Sequence, residues 1–151
     1  MKCVVLVSGA PGSGKTTLAV PLAAELRLPL LSKDVIKEQL FDTLLGSVMD
    51  TRCRGSRSLG AASIELIWAL APHFREAVLE ANFRPRSPYE RSRILELSDR
   101  VVEVNCVCPR GVASKRYSTR ARSGGHHSTH VLRDLPQNFE ASTTRRSGSG
   151  P

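Results

Sequence analysis

The sequence predicts an α/β fold in three layers, a parallel sheet with helices on both faces. Two observations predict it. Apolar runs of strand length alternate with segments of helical period, and that order implies parallel strands joined by helical crossovers. In addition, Cys3-Val4-Val5-Leu6-Val7 is suited to a buried parallel strand, and it runs through a glycine-rich loop into a helical segment, Thr16 to Leu26.

Each element has its own signal. The strand at Cys3–Val7 takes the central place, with neighbours expected at Leu28–Leu31, Ala77–Ala81 and Val101–Val107. Pro21 lies well inside the first helix, where proline costs about 3 kcal/mol and removes a backbone donor, so a kink or a short helix is expected. Val35, Ile36, Leu40, Leu44 and Leu45 recur at helical spacing, and Gly46 is the stop. Residues 50–58 read as a polar loop with arginines. A third helix is expected from about Leu59 to Ala71, with Ile64, Leu66, Ile67 and Leu70 inside and Pro72 as a break. The passage from Ala71 to Glu76 shows no clear turn before the next strand. Ser87-Pro88-Tyr89-Glu90 is a capping box with proline at the first helical position, so a helix starts there. Gly111 to Arg122 is the last helical stretch. Four or five strands are expected in all, yet nothing after Val107 reads as a fifth. Residues 1–132 therefore form one domain and 133–151 a polar tail that does not pack, so the C-terminal part reads as truncated.

Composition bounds the function. At 151 residues and 40% hydrophobic, the chain has room for a single core. No leader precedes the first strand, and no apolar stretch approaches the ~20 residues that span a bilayer, which excludes a membrane partner. The four cysteines, Cys3, Cys53, Cys106 and Cys108, show neither a disulfide framework nor zinc pairing, and the expectation is a reduced, cytoplasmic protein. Charge is uneven. Residues 1–50 balance five Lys/Arg with five Asp/Glu, whereas residues 110–151 carry eight against two. A basic C-terminal third suits either nucleic acid or an arginine cover over a polyphosphate with a solvated tail behind it. Only Tyr117 and Phe139 are aromatic there, which disfavours stacking on single strands.

Residues Gly9-Ala10-Pro11-Gly12-Ser13-Gly14-Lys15-Thr16 fit the phosphate-binding loop pattern G-x-x-x-x-G-K-[ST] with no mismatch. Glycines let successive backbone N–H groups turn inward around a polyphosphate. Lys15 reaches the β- and γ-phosphates, Thr16 places its hydroxyl on Mg²⁺, and Thr17 follows at the helix start. The expected fold is thus of the P-loop NTPase type, with ATP and Mg²⁺ as cofactors. Glu80 ends an apolar strand where such enzymes hold a metal-proximal acid; orienting a substrate hydroxyl, or merely facing water, are its other readings. Asp34 follows the second strand at the carboxyl end, where open α/β sheets bind ligands, and can take the proton of an attacking hydroxyl. A negative charge there also suits the helix dipole. Arg116 and Arg120 are four apart and share a helix face, as a lid over an anion requires, and as a solvated basic face also allows. His126, His127 and His130 with Cys106 and Cys108 do not match zinc-ligand spacing.

The runs LPLLSKDVIKEQLFDTL, VLEANFRP and RYSTRARSGGHHSTH together resemble small P-loop kinases of the AAA-type ATP-binding group. That group is similar to polynucleotide kinase, chloramphenicol phosphotransferase and gluconate kinase in its N-terminal layout, and the resemblance covers roughly residues 3–130. It implies phosphoryl transfer from ATP to a hydroxyl of a small molecule, or of a nucleic-acid 5′ end, with Asp34 as the base. Similar kinases carry an R-H-P-x-H-like stretch where this chain reads His126-His127-Ser128-Thr129-His130, without the arginine and proline. A GTPase-like switch is disfavoured because no N-K-x-D element occurs. A nucleotide-binding module without turnover stays open through the short C-terminal part.

Overall fold

The first strand, β1, spans Cys3–Gly9 and is buried from Val4 to Ser8, as a strand covered on both faces must be. The computed structural model describes residues 2–45, 54–84, 86–122, 127, 129 and 130. Helix α1 (Lys15–Leu26) follows the glycine loop, then β2 (Leu30–Ser32), α2 (Lys33–Leu45) and α3 (Arg54–Leu70). A 3-10 turn at Ala71–His73 leads into β3 (Glu76–Glu80), followed by α4 (Pro88–Leu97), β4 (Val101–Cys106) and α5 (Arg110–Arg122). All four strands are parallel, in the order β2-β3-β1-β4.

This order departs from the expected one at a single place. β2 pairs with β3 and not with β1, because β3 inserts between them. Burial explains it: β3 reads EAVLE with its last four residues buried and needs a partner on each side, whereas the three-residue, half-buried β2 suits an edge. Among the described residues no fifth strand occurs, and the expected tail at 133–151 lies outside them, as do Cys53 and His126. No described helix is long and apolar enough to cross a membrane.

The pleat sorts the core into two layers. Val4 and Leu6 of β1 meet Ile67 and Trp68 of α3, Leu79 of β3 and Leu97 of α4 on one face. Val5 and Val7 meet Ala19 and Ala23 of α1, with Val78, on the other. The small alanines let α1 lie close over the sheet. Pro21 does not end α1; Pro21 and Thr17, whose carbonyl loses its donor, are both exposed, so water can take the place of the missing N–H. The compressed link after α3 is closed by the 3-10 turn, with Phe74 N–H donating to the Ala71 carbonyl at 3.0 Å. At α4, Ser87 Oγ accepts from Glu90 N–H at 3.3 Å, while the Glu90 carboxylate takes the Arg84 backbone N–H at 2.5 Å, one turn further back than a capping box requires.

Ile67 is fully buried between α3 and the sheet. Replacing it with alanine removes most of its contacts and leaves a void, so Ile67→Ala is expected to lose about 2–5 kcal/mol of stability, read by urea unfolding.

Candidate active site

The loop between β1 and α1 is held in a shape that only glycine sustains. Gly12 has φ 77°, and a Cβ there would run into the Ala113 carbonyl of α5. A Cβ at Gly9 would lie 2.5 Å from the Cys106 carbonyl of β4. The loop is therefore wedged between β4 and α5, and its backbone approaches both. Gly12→Ala combines backbone strain with a clash, so it should weaken both folding and nucleotide affinity, as thermal melts with and without Mg-ATP would show.

Lys15 opens α1 and is 9% exposed, with its Nζ donating to the Ala10 carbonyl at 3.1 Å. Burial pushes its pKa below the usual lysine value, against the opposing pull of the Glu80 and Asp34 charges. Among the described residues its hydrogen-bond partner is this one carbonyl, and a buried ammonium so placed is poised to take an anion. Thr16 Oγ1 donates to Glu80 Oε1 at 3.4 Å, and Ser32 Oγ donates to Glu80 Oε2 at 2.5 Å. Glu80 is 1% exposed at the end of β3, so α1, β2 and β3 all meet at one carboxylate. A hydroxyl beside a buried carboxylate is an oxygen donor set that fits a hard divalent cation.

A cleft of about 730 Å³ runs over this point. Pro11, Gly12, Gly14, Lys15, Thr16 and Thr17 line it from the glycine loop and the start of α1, and Asp34, Lys37 and Glu38 line it from α2. Glu80 at the end of β3 and Asn82 just beyond it line it as well. Gly9, Ala10 and Ser13 lie outside this lining; Ser13 Oγ is buried and has no hydrogen-bond partner among the described residues. The cleft thus lies at the carboxyl ends of β1, β2 and β3, where open parallel sheets bind their ligands.

A sequence profile described as AAA domain matches residues 4–142. The chain belongs to the AAA domain family of small P-loop kinases. Its fold is similar to that of a "putative kinase" from Chloroflexus aurantiacus J-10-fl, at 30% identity and a TM-score of 0.75, covering 93% of this chain and 77% of that one. It is also similar in fold to a sugar kinase from Janibacter sp. HTCC2649, at 23% identity and a TM-score of 0.50, covering 94% of this chain and 75% of that one. No curated protein matches the chain.

In this kinase fold Asp34 is the second residue of α2, exposed at its first turn and lining the same cleft as Lys15. Arg116 does not line the cleft; its guanidinium reaches Cys108 Sγ at 3.9 Å. Tyr117, one position on, lines the cleft instead, and the side chain of Arg120 lies outside the described part. Sequence reasoning had not placed Lys33, Lys37, Glu38, Asn82, Tyr117 or His130 in this cleft. Lys33 Nζ donates to Asn82 Oδ1 at 3.3 Å, linking the exits of β2 and β3. A signal existed for that pair: each follows the carboxyl end of a parallel strand, where ligands gather. His130 ends the stretch set against the R-H-P-x-H-like run, but its place in the cleft depends on the return of the chain to α2. Among the described residues no three His, Cys, Asp or Glu side chains gather as a metal site.

Proposed function

We propose that this chain binds Mg-ATP on the Gly9–Thr17 loop and transfers the γ-phosphoryl group to a hydroxyl of a small molecule. One observation carries the reading: Lys15, Thr16, Glu80 and Asp34 line a single cleft. Lys15 neutralises the β- and γ-phosphate oxygens, and the partner it now uses, a neutral carbonyl, is readily exchanged for them. Thr16 and Glu80 would hold Mg²⁺, which supplies charge neutralisation between the phosphates. Glu80 keeps its second oxygen on Ser32, which holds the carboxylate in place.

The acceptor hydroxyl enters on the α2 side. Its oxygen bonds to the γ-phosphorus, the bond from that phosphorus to the β–γ bridging oxygen breaks, and ADP leaves with that oxygen. The hydroxyl proton passes to the Asp34 carboxylate. The mixed lining of carboxylates and donors on that wall favours a compact polyhydroxylated acceptor over a stacked nucleobase, with a nucleic-acid 5′-hydroxyl as the alternative. The location implied by this chemistry is cytoplasmic, where ATP is abundant.

A second reading, ATP binding without acceptor turnover, is favoured by Arg116, which faces Cys108 and leaves the cleft without its charge. Incubation with labelled ATP and a panel of sugars, polyols and a 5′-hydroxyl oligonucleotide decides between them. Label on a sugar or polyol supports the first reading, and label on the oligonucleotide supports its alternative. ATP bound but label transferred to none of these supports the second.

A further inference from the structure

Beyond the nucleotide half of the cleft, the chain returns to α2 and is tied down there. His130 Nε2 lies 2.9 Å from Glu38 Oε1, and Lys37 Nζ donates to the Thr129 carbonyl at 3.1 Å. His127 Nε2 lies 2.9 Å from Asp42 Oδ1, while its Nδ1 accepts the Thr129 backbone N–H at 3.2 Å. With Nδ1 accepting the backbone N–H, the ring donates from Nε2 to the Asp42 carboxylate. The ring also packs edge-on against Phe41, with centroids 5.5 Å apart. His127, Thr129 and His130 thus run along α2 over Lys37, Glu38, Phe41 and Asp42, which share one helical face.

Only part of this ladder reaches the cleft. His130, Glu38 and Lys37 line it; His127 and Asp42 do not. We propose that His127, Thr129 and His130 form a strap that walls the acceptor side of the cleft, with His130 as the group facing the acceptor. His127 acts at a distance as the positioning residue that holds the strap in register. The inference rests on the kinase reading above and extends it: water, the smallest hydroxyl donor, is kept from the γ-phosphate by this wall. When the strap loosens, a water oxygen bonds to the γ-phosphorus and the bond to the bridging oxygen of ADP breaks. The water proton goes to Asp34, giving ADP and inorganic phosphate.

The test uses the full chain, Mg-ATP and water, so no acceptor need be known. His127→Ala and Asp42→Ala remove the same pair from either side, and both lie outside the cleft lining. Each is expected to raise acceptor-independent phosphate release by roughly three- to tenfold, with affinity for a fluorescent ATP analogue within about twofold of the parent. His127→Gln keeps a donor and an acceptor in similar places, so its release should stay near the parental rate. Simple loss of structure moves the readouts the other way, lowering both affinity and hydrolysis. Unchanged or lower phosphate release in the two alanine variants, with the analogue still bound, overturns the strap. Failure of the parent itself to bind the analogue sinks the nucleotide-site reading, and the strap proposal falls with it.

Discussion

Lys15→Ala is expected to weaken Mg-ATP binding by roughly ten- to a hundredfold or more, because a charge-assisted contact to phosphate contributes about 1.5–3 kcal/mol. Titration with a fluorescent ATP analogue reads this directly, and equal affinity in parent and variant would remove the phosphate-loop assignment. Thr16→Ala is expected to act differently, weakening the dependence of binding on Mg²⁺. The structure adds a second consequence for Lys15. Its ammonium is buried against a single carbonyl, and its pKa is pushed down by that burial. The folded protein therefore binds this proton less tightly than the unfolded chain does. In the empty protein the charge opposes folding at neutral pH, and the penalty fades as pH rises from the lowered value toward the ordinary 10.5. Lys15→Met, which keeps the length without the charge, should thus be at least as stable as the parent without nucleotide at pH 7. Its advantage should shrink in alkaline buffer. Urea melts at the two pH values check the sign, and a growing advantage at high pH would contradict it.

Asp34→Asn is expected to keep ATP affinity and lose acceptor-dependent transfer by roughly 10²–10⁴-fold, the usual effect of removing a general base. The placement of Asp34 makes this separation physical. It lines the cleft from the first turn of α2, a different element from the loop that would hold the triphosphate. Its charge nonetheless reaches Lys15 and opposes the effect of burial there. A small gain in ATP affinity from Asp34→Asn would fit the loss of a negative charge near the phosphates. A large loss of affinity would instead assign Asp34 to the nucleotide side. Measuring the ATP dissociation constant beside the transfer rate distinguishes the two.

Much of the architecture was legible because it is written in short-range patterns. The β1 run, the glycine loop and the start of α1 are contiguous, so their order and roles follow from twenty-odd residues without knowledge of the rest. The helix at Ser87 was equally readable, since a cap residue, a proline and an acid act over one turn. The third helix was harder. Its start at Arg54 precedes the expected Leu59, because the polar stretch 50–58 hides a helical beginning whose apolar period emerges only later. The place of β2 could not be read, since strand order depends on which strand needs two buried edges, a property of the assembled sheet. The missing donor at Pro21 is tolerated for a similar reason: the affected turn lies on the exposed side of α1.

The candidate site divides along the same line. Lys15, Thr16 and the loop glycines belong to one continuous motif, and local backbone geometry alone brings them together. Sequence by itself determined the parallel α/β class, the phosphate loop, and the strand ends where Asp34 and Glu80 lie. Only the tertiary structure decided that Glu80 is shared by Thr16 and Ser32, that Arg116 faces Cys108, and that His127 and His130 close on α2. The reason is range. Period and capping act over a few residues, while these contacts join side chains from eight to ninety-two positions apart, and their partners exist only once the sheet has set the separation of its helices.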